Sequence, residues 1–278
     1  MSKIITVLNR KGGVSKTTTS RNIASIYVSQ GKKVLLIDFD AQASLTKNFG
    51  LLDKDFEGAS EHNICNIFTD KPIKPIDIGK EGEIYHILPS NKELERLGLD
   101  SIIGKDTKLK NFIEDMQLLD FYDVIIIDNN PAFNTQAINS ILASDIIMVP
   151  VEPAKMDVEG LHGFLESTEE TLKAFRHKIE KIIIIPSKYE ENTRVAKDYL
   201  GILNEYTETF IKEKCPILSQ ASFVITKPVP KTVIFKSADG YNKSTYDYMH
   251  ENKSQISISS DKVKTLIDDL EKIAAVAM

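Results

Sequence analysis

Six short runs rich in β-branched residues recur along the chain, at 4–8, 34–37, 84–88, 124–127, 146–151 and 182–185, with helix-patterned stretches between them. Strands that alternate with helices in this way assemble into a mostly parallel sheet covered by helices. Several of the runs are apolar without alternation, as strands buried on both faces are. The expected fold is therefore α/β in three layers, with a mostly parallel central sheet flanked by helices. Most runs are followed at their carboxyl ends by polar, Gly or Pro residues, and ligands of such sheets gather at that edge. The first helix is expected over 16–30, stopped by Gly31, and an amphipathic last helix over 261–275. Residues 45–80 form a polar, Pro-containing insertion with little structural signal. At 278 residues, without an internal repeat, residues 1–278 are expected to form one domain.

Between the first run and the first helix lies Lys11-Gly12-Gly13-Val14-Ser15-Lys16-Thr17-Thr18. Backbone N–H groups of a tight Gly-Gly turn can wrap a phosphate chain where no side chain intrudes, and the helix N-terminus adds a favourable dipole. Lys16 is then placed for β- and γ-phosphate oxygens, the Thr17 hydroxyl for magnesium, and Thr18 for the α-phosphate. As a literal Walker A pattern the stretch fails twice, because Arg10 and Ser15 stand where its terminal glycines belong. Context compensates. Asp38 and Asp40 close the second run and Asp128 closes the fourth, so three carboxylates reach the edge that carries the loop. Magnesium coordination and water positioning need such groups.

With these residues in place the chain resembles the deviant Walker A ATPases of the ParA and MinD superfamily, and among them the short ParA proteins of plasmid and chromosome partition. The family pattern Lys-Gly-Gly-x-Gly-Lys-Thr-Thr maps onto residues 11–18 with one departure, Ser15. Asp38-Phe39-Asp40-Ala41-Gln42, Leu88-Pro89-Ser90-Asn91, the Walker B stretch 123–131 and Ser144-Asp145 leading into 146–151 match in the same order, so the resemblance covers roughly residues 1–165. A second departure is Asn129-Asn130-Pro131, where many relatives have a residue followed by two prolines.

The resemblance implies an ATP- and Mg2+-dependent hydrolase. Lys11 would be the signature lysine that reaches the partner's phosphates in a nucleotide-sandwich homodimer, in the manner of an arginine finger. Gly12 would permit close approach of the subunits, Asp40 would orient the attacking water, and Asp38 and Asp128 would hold the magnesium shell and Thr17. Ser15 points to slow turnover. The implied function is DNA segregation, with an ATP-bound dimer on non-specific double-stranded DNA released when a ParB-type centromere-binding partner stimulates hydrolysis.

Beyond Pro186 the resemblance fades. Lys227, Lys231, Lys236 and Lys243, with Arg194 further upstream, make the distal part 187–278 locally basic in a chain of net charge −5. By charge alone they read equally as a solvated face; the resemblance turns them into candidate DNA contacts, salt-sensitive and blind to sequence.

The alternative is a MinD-like membrane-positioning ATPase, which requires a last helix with a basic polar face. Here Val263, Leu266, Ile267, Leu270 and Ile273 are opposed by Asp268, Asp269 and Glu271 as well as lysines, a pattern that suits core packing, so no membrane partner is expected. A redox relative such as the nitrogenase iron protein would need interface cysteines, which Cys65 and Cys215 do not match; both read as packing residues of a reducing compartment. The five histidines lack metal-ligand spacing, and Tyr241, Tyr246 and Tyr248 precede a helix instead of forming a terminal tyrosine cluster. Met1-Ser2-Lys3 leads directly into the first strand, without a signal-peptide core or a helix-turn-helix extension. The expected location is cytoplasmic and nucleoid-associated, with no operator reading by this chain itself.

Overall fold

The computed structural model describes residues 2–51, 61–252, 256 and 259–278, with the side chains of 156–158 and 206 excluded. Eight strands, β1 (Lys3–Val7), β2 (Val34–Phe39), β3 (Ile76–Asp77), β4 (Tyr85–Leu88), β5 (Val124–Asn129), β6 (Ile146–Val151), β7 (Lys181–Pro186) and β8 (Ser222–Ile225), form one sheet in the order β3-β4-β2-β5-β1-β6-β7-β8. Among the described residues, every pairing of these strands is parallel except that of β3 with β4 at the edge.

Helices cover both faces: α1 (Lys16–Ser29), α2 (Ser44–Asn48), α3 (Glu93–Leu99), α4 (Lys108–Asp115), α5 (Leu118–Phe121), α6 (Thr135–Ala143), α7 (Lys155–Phe175), α8 (Arg194–Lys214), α9 (Val233–Gly240), α10 (Thr245–Glu251) and α11 (Ser260–Val276). Because successive strand side chains point to opposite faces, β5 gives Val124 and Ile126 to one core and Ile125 and Ile127 to the other. The first core packs against α1, α9, α10 and α11; the second face carries α3, α4, α6, α7 and α8 in two clusters. All four residues are fully buried, each contributing about 1.5–3 kcal/mol of transfer free energy, which is why runs without alternation mark the middle of this sheet.

The six expected runs are strands, with ends shifted by at most two residues. The pattern misses β3 and β8, the two edge strands, which are short and only partly buried. The insertion at 45–80 is more structured than its composition indicates: a 3-10 helix at Ile64–Phe68 buries Ile64, Cys65, Ile67 and Phe68 in the second core. Its residues 52–60 lie outside the described residues. Gly31 ends α1 at φ +75°. The apolar stripe of α11 is buried against the first core, and the Tyr27 hydroxyl of α1 donates to the Ala274 carbonyl at 2.7 Å. Cys65 and Cys215 are both buried and free.

Candidate nucleotide site

Parallel pairing brings β1, β2 and β5 to a common carboxyl edge, with Asp38 opposite Asp128 and Val7 also opposite Asp128. The loop leaving β1 enters α1 at this edge. Asn9 braces its start, donating to the Pro150 carbonyl at 2.7 Å and accepting from the Lys11 N–H at 3.1 Å. Gly13 has φ +76° and Ser15, the residue before α1, has φ 74° and ψ 27°. Ser15 thus adopts the left-handed backbone for which glycine is suited, at a strain of roughly 1 kcal/mol. The departure from the family pattern preserves the turn. Ser15→Val, which places a β-branched side chain in that region, should lower the melting temperature by about 2–4 °C, as a thermal melt of the nucleotide-free chain would show.

Inside the turn the buried Lys16 donates its Nζ to the Lys11 carbonyl at 3.0 Å. Burial lowers its pKa, against the opposing pull of Asp128 and Asp40. Thr17 Oγ1 and Ser20 Oγ donate to the two oxygens of Asp128, at 2.7 and 2.9 Å. Asp38 serves its own turn instead: it accepts from the Thr46 N–H and hydroxyl at 2.8 and 2.7 Å, and from the Asp40 N–H at 3.2 Å. Asp40, held by the Gln42 N–H at 2.9 Å, is half-buried and lines the cavity, and burial raises its pKa.

Burial, together with repulsion from Asp128, pushes the Asp38 carboxyl up to about 7; burial pushes Asp128 to about 6. Both groups bind a proton more tightly folded than unfolded, so the stability this contributes is complete below about pH 4 and is lost as pH rises through about 6 to 7. Asp38→Asn cannot ionise. Its melting temperature relative to the unaltered protein should therefore climb between pH 5 and pH 8; a constant difference would refute the burial argument.

A cavity of about 570 Å³ extends from the loop. Its lining combines loop residues such as Gly13, Lys16 and Thr17, the carboxylate of Asp40, and apolar side chains that include Val229, Phe235 and Leu270. Asn129 joins three elements, with Nδ2 donating to Thr6 Oγ1 at 2.7 Å and Oδ1 accepting from Ser140 Oγ at 2.6 Å. Lys11 and Gly12 are exposed, and a Cβ built on Gly12 would meet nothing within 4 Å.

Four of the five distal cations are paired with carboxylates. Lys227 pairs with Asp269 at 3.6 Å, Arg194 with Asp198 at 3.7 Å, Lys231 with Glu190 and Lys243 with Glu251. Lys231 and Lys236 line the nucleotide-sized cavity. Sequence reasoning missed Ser187 and Lys188, which reach the phosphate loop from the end of β7; the rule that ligands gather at carboxyl strand edges was the available signal.

The sequence profile of the AAA domain family (AAA_31) matches residues 2–181. The chain belongs to this family. Within it, its motifs are those of the ParA-type ATPases. The chain is similar to the chromosome-partitioning ATPase Soj of Thermus thermophilus, at 27% identity over 69% of this chain and 72% of that protein. It also resembles the sporulation initiation inhibitor protein Soj of Bacillus subtilis, at 33% identity over 60% of this chain and 65% of that protein. Its fold matches a putative plasmid partition protein of Borrelia burgdorferi B31 solved with AMPPNP, at a TM-score of 0.73 and 24% identity, with all of both chains covered. Among the described residues, no helix of this ParA-type ATPase is long and apolar enough to cross a membrane.

Proposed function

We propose that residues 1–278 work as one ATP-driven DNA segregation unit. The ATP-bound form is a sandwich homodimer that holds double-stranded DNA without sequence preference and leaves it after hydrolysis stimulated by a ParB-type centromere-binding protein. The observation that carries this reading is the pair Lys11 and Gly12. Both stand exposed beside the phosphate loop, and the chain's own packing places no demand on Gly12 for a missing side chain. A glycine that the monomer does not need is accounted for by close approach of a second subunit, whose phosphates Lys11 would neutralise.

The residues at the loop fit ATP with magnesium. The left-handed turn at Gly13 and Ser15, Lys16 and the free N–H groups of the first turn of α1 suit a phosphate chain. Thr17, already oriented by Asp128, supplies the hydroxyl for a cation. A bound magnesium would offset charge on the phosphate oxygens. Asp40 is the carboxylate at the cavity surface placed to orient water, and Asp38 holds the Asp40 turn in position. The apolar lining of the cavity, which includes Phe235 and Pro230, suits a nucleobase. Turnover without a partner is slow.

Lys227, Lys231, Lys236, Lys243 and Arg194 are the proposed DNA contacts. Four of them sit in ion pairs at or near the surface, which solvent and salt weaken, so exchanging a carboxylate for a DNA phosphate costs little. Lys231 and Lys236 also border the cavity, which links that surface to nucleotide state. Such a protein works in the cytoplasm on the nucleoid. The burial of the α11 apolar stripe gives no support to a membrane-positioning alternative.

Retention on random-sequence duplex DNA, measured with ATP, ADP or no nucleotide at rising salt, tests this reading. ATP-selective, salt-sensitive retention is expected. Retention indifferent to nucleotide, or preferential binding to anionic liposomes, would overturn it.

A further inference from the structure

Two consecutive residues at the end of β7 grip two consecutive carbonyls of the phosphate loop. The Ser187 hydroxyl, buried, donates to the Val14 carbonyl at 3.0 Å, and Lys188 Nζ donates to the Gly13 carbonyl. Both residues line the cavity. Their platform is rigid: β7 pairs with β6 up to Val151 and Pro186, and the Ser187 N–H donates to the Val151 carbonyl at 2.7 Å. Lys188 itself is held at φ 51°, a left-handed backbone that non-glycine residues occupy at a strain of roughly 1–3 kcal/mol when surrounding structure enforces it.

The consequence follows from peptide geometry. The chain has no cis peptide bond among the described residues, and in a trans peptide the carbonyl of one residue and the N–H of the next point in opposite directions. Fixing the Gly13 and Val14 carbonyls toward β7 therefore turns the N–H groups of Val14 and Ser15 away from it. These are the amides that flank the strained Ser15 turn, where the backbone would otherwise relax toward conformations easier for serine. A bond from an ammonium to a carbonyl is charge-assisted and stronger than a neutral one.

We propose that Ser187 and Lys188 are positioning residues that set the orientation of the phosphate-loop amides before nucleotide arrives, with Lys188 acting through the Gly13 peptide and not as a direct charge on the phosphates. This rests on the reading that the loop holds nucleotide phosphates. Pre-orienting donors lowers the ordering cost of binding, so loss of the clamp appears as weaker affinity for any nucleotide with a β-phosphate.

The test is titration of the full chain with a fluorescent ADP analogue at 0.1 and 0.5 M KCl, accompanied by thermal melts without nucleotide. Lys188→Met should weaken binding about 10-fold, and Ser187→Ala about 3- to 10-fold. Lys188→Arg, which keeps a charged donor, should stay within about 3-fold of the unaltered chain. Melting temperatures should differ by less than about 3 °C. Because the clamp acts through a peptide, the loss in Lys188→Met should persist at 0.5 M KCl, where exposed charges are screened.

Unchanged affinity in Lys188→Met overturns the proposal, as does a loss that disappears at high salt or an equal loss in Lys188→Arg. Should Lys188→Met melt markedly lower, the Arg and Ser187 variants decide by the same criteria. An unaltered chain that fails to bind the analogue overturns the nucleotide reading itself, which separates the two failures.

Discussion

Lys16→Ala should abolish nucleotide binding at concentrations that saturate the unaltered protein. The Lys16 ammonium is buried within the loop, and in the nucleotide-free chain it donates to the Lys11 carbonyl, with Asp128 and Asp40 near enough to favour its charge. A phosphate chain in the turn would offer it anionic acceptors, and charge-assisted bonds of this kind contribute about 1.5–3 kcal/mol each. Losing two of them weakens binding by roughly 100-fold or more. Removing the side chain also leaves the buried Asp128 and the half-buried Asp40 with less opposing charge beside phosphates that repel them. Calorimetric or fluorescence titration with ATP checks this directly, and an affinity within about threefold of the original would show that the loop is not the phosphate site.

Asp40→Ala should leave affinity largely intact and stop the reaction. Asp40 reaches the cavity surface, whereas Asp38 and Asp128 are buried and accept from Thr46, Thr17 and Ser20. In the proposed reading it is the carboxylate that orients an attacking water, and removing such a group typically costs 10²–10⁴ in rate. The expected result is ATP hydrolysis reduced about 100-fold or more, with an ATP-dependent dimer that persists through size-exclusion chromatography. Phosphate release at the original rate would move the water-positioning role to another residue.

Much of the fold was legible because the strands of a buried parallel sheet need no polar face. Ile125 to Ile127 in β5 and Ile182 to Ile185 in β7 read as strands from composition and length alone. The edge strands β3 and β8 lacked that signal, since partial burial tolerates polar residues. The 3-10 helix at Ile64–Phe68 was hidden for a different reason: its burial depends on α3 and α4, elements far away in sequence.

Lys16, Thr17, Asp40 and Asp128 could be singled out as candidates because phosphate chemistry ties residue type to a position on one loop or strand end. The conformation of Ser15 was not legible, because a left-handed φ at a serine is imposed by its surroundings. The distal lysines show the reverse case. Sequence displays their charge, yet Lys227, Lys231 and Lys243 each meet a carboxylate that only the folded chain brings near.

By itself, then, the amino-acid sequence determined the layered α/β class, the order of the family motifs and the candidate phosphate loop. These rest on local periodicity and on short spacings. Tertiary structure alone decided that Asp38 and Asp128 lie opposite one another and are buried deeply enough to raise both pKa values, with Asp128 adding repulsion at Asp38. It also decided that α11 turns its apolar stripe into the core, and that Ser187 and Lys188 clasp a loop more than 170 residues earlier in the chain. Each of those facts depends on the parallel crossover connections of the sheet, which bring distant strand ends to one edge.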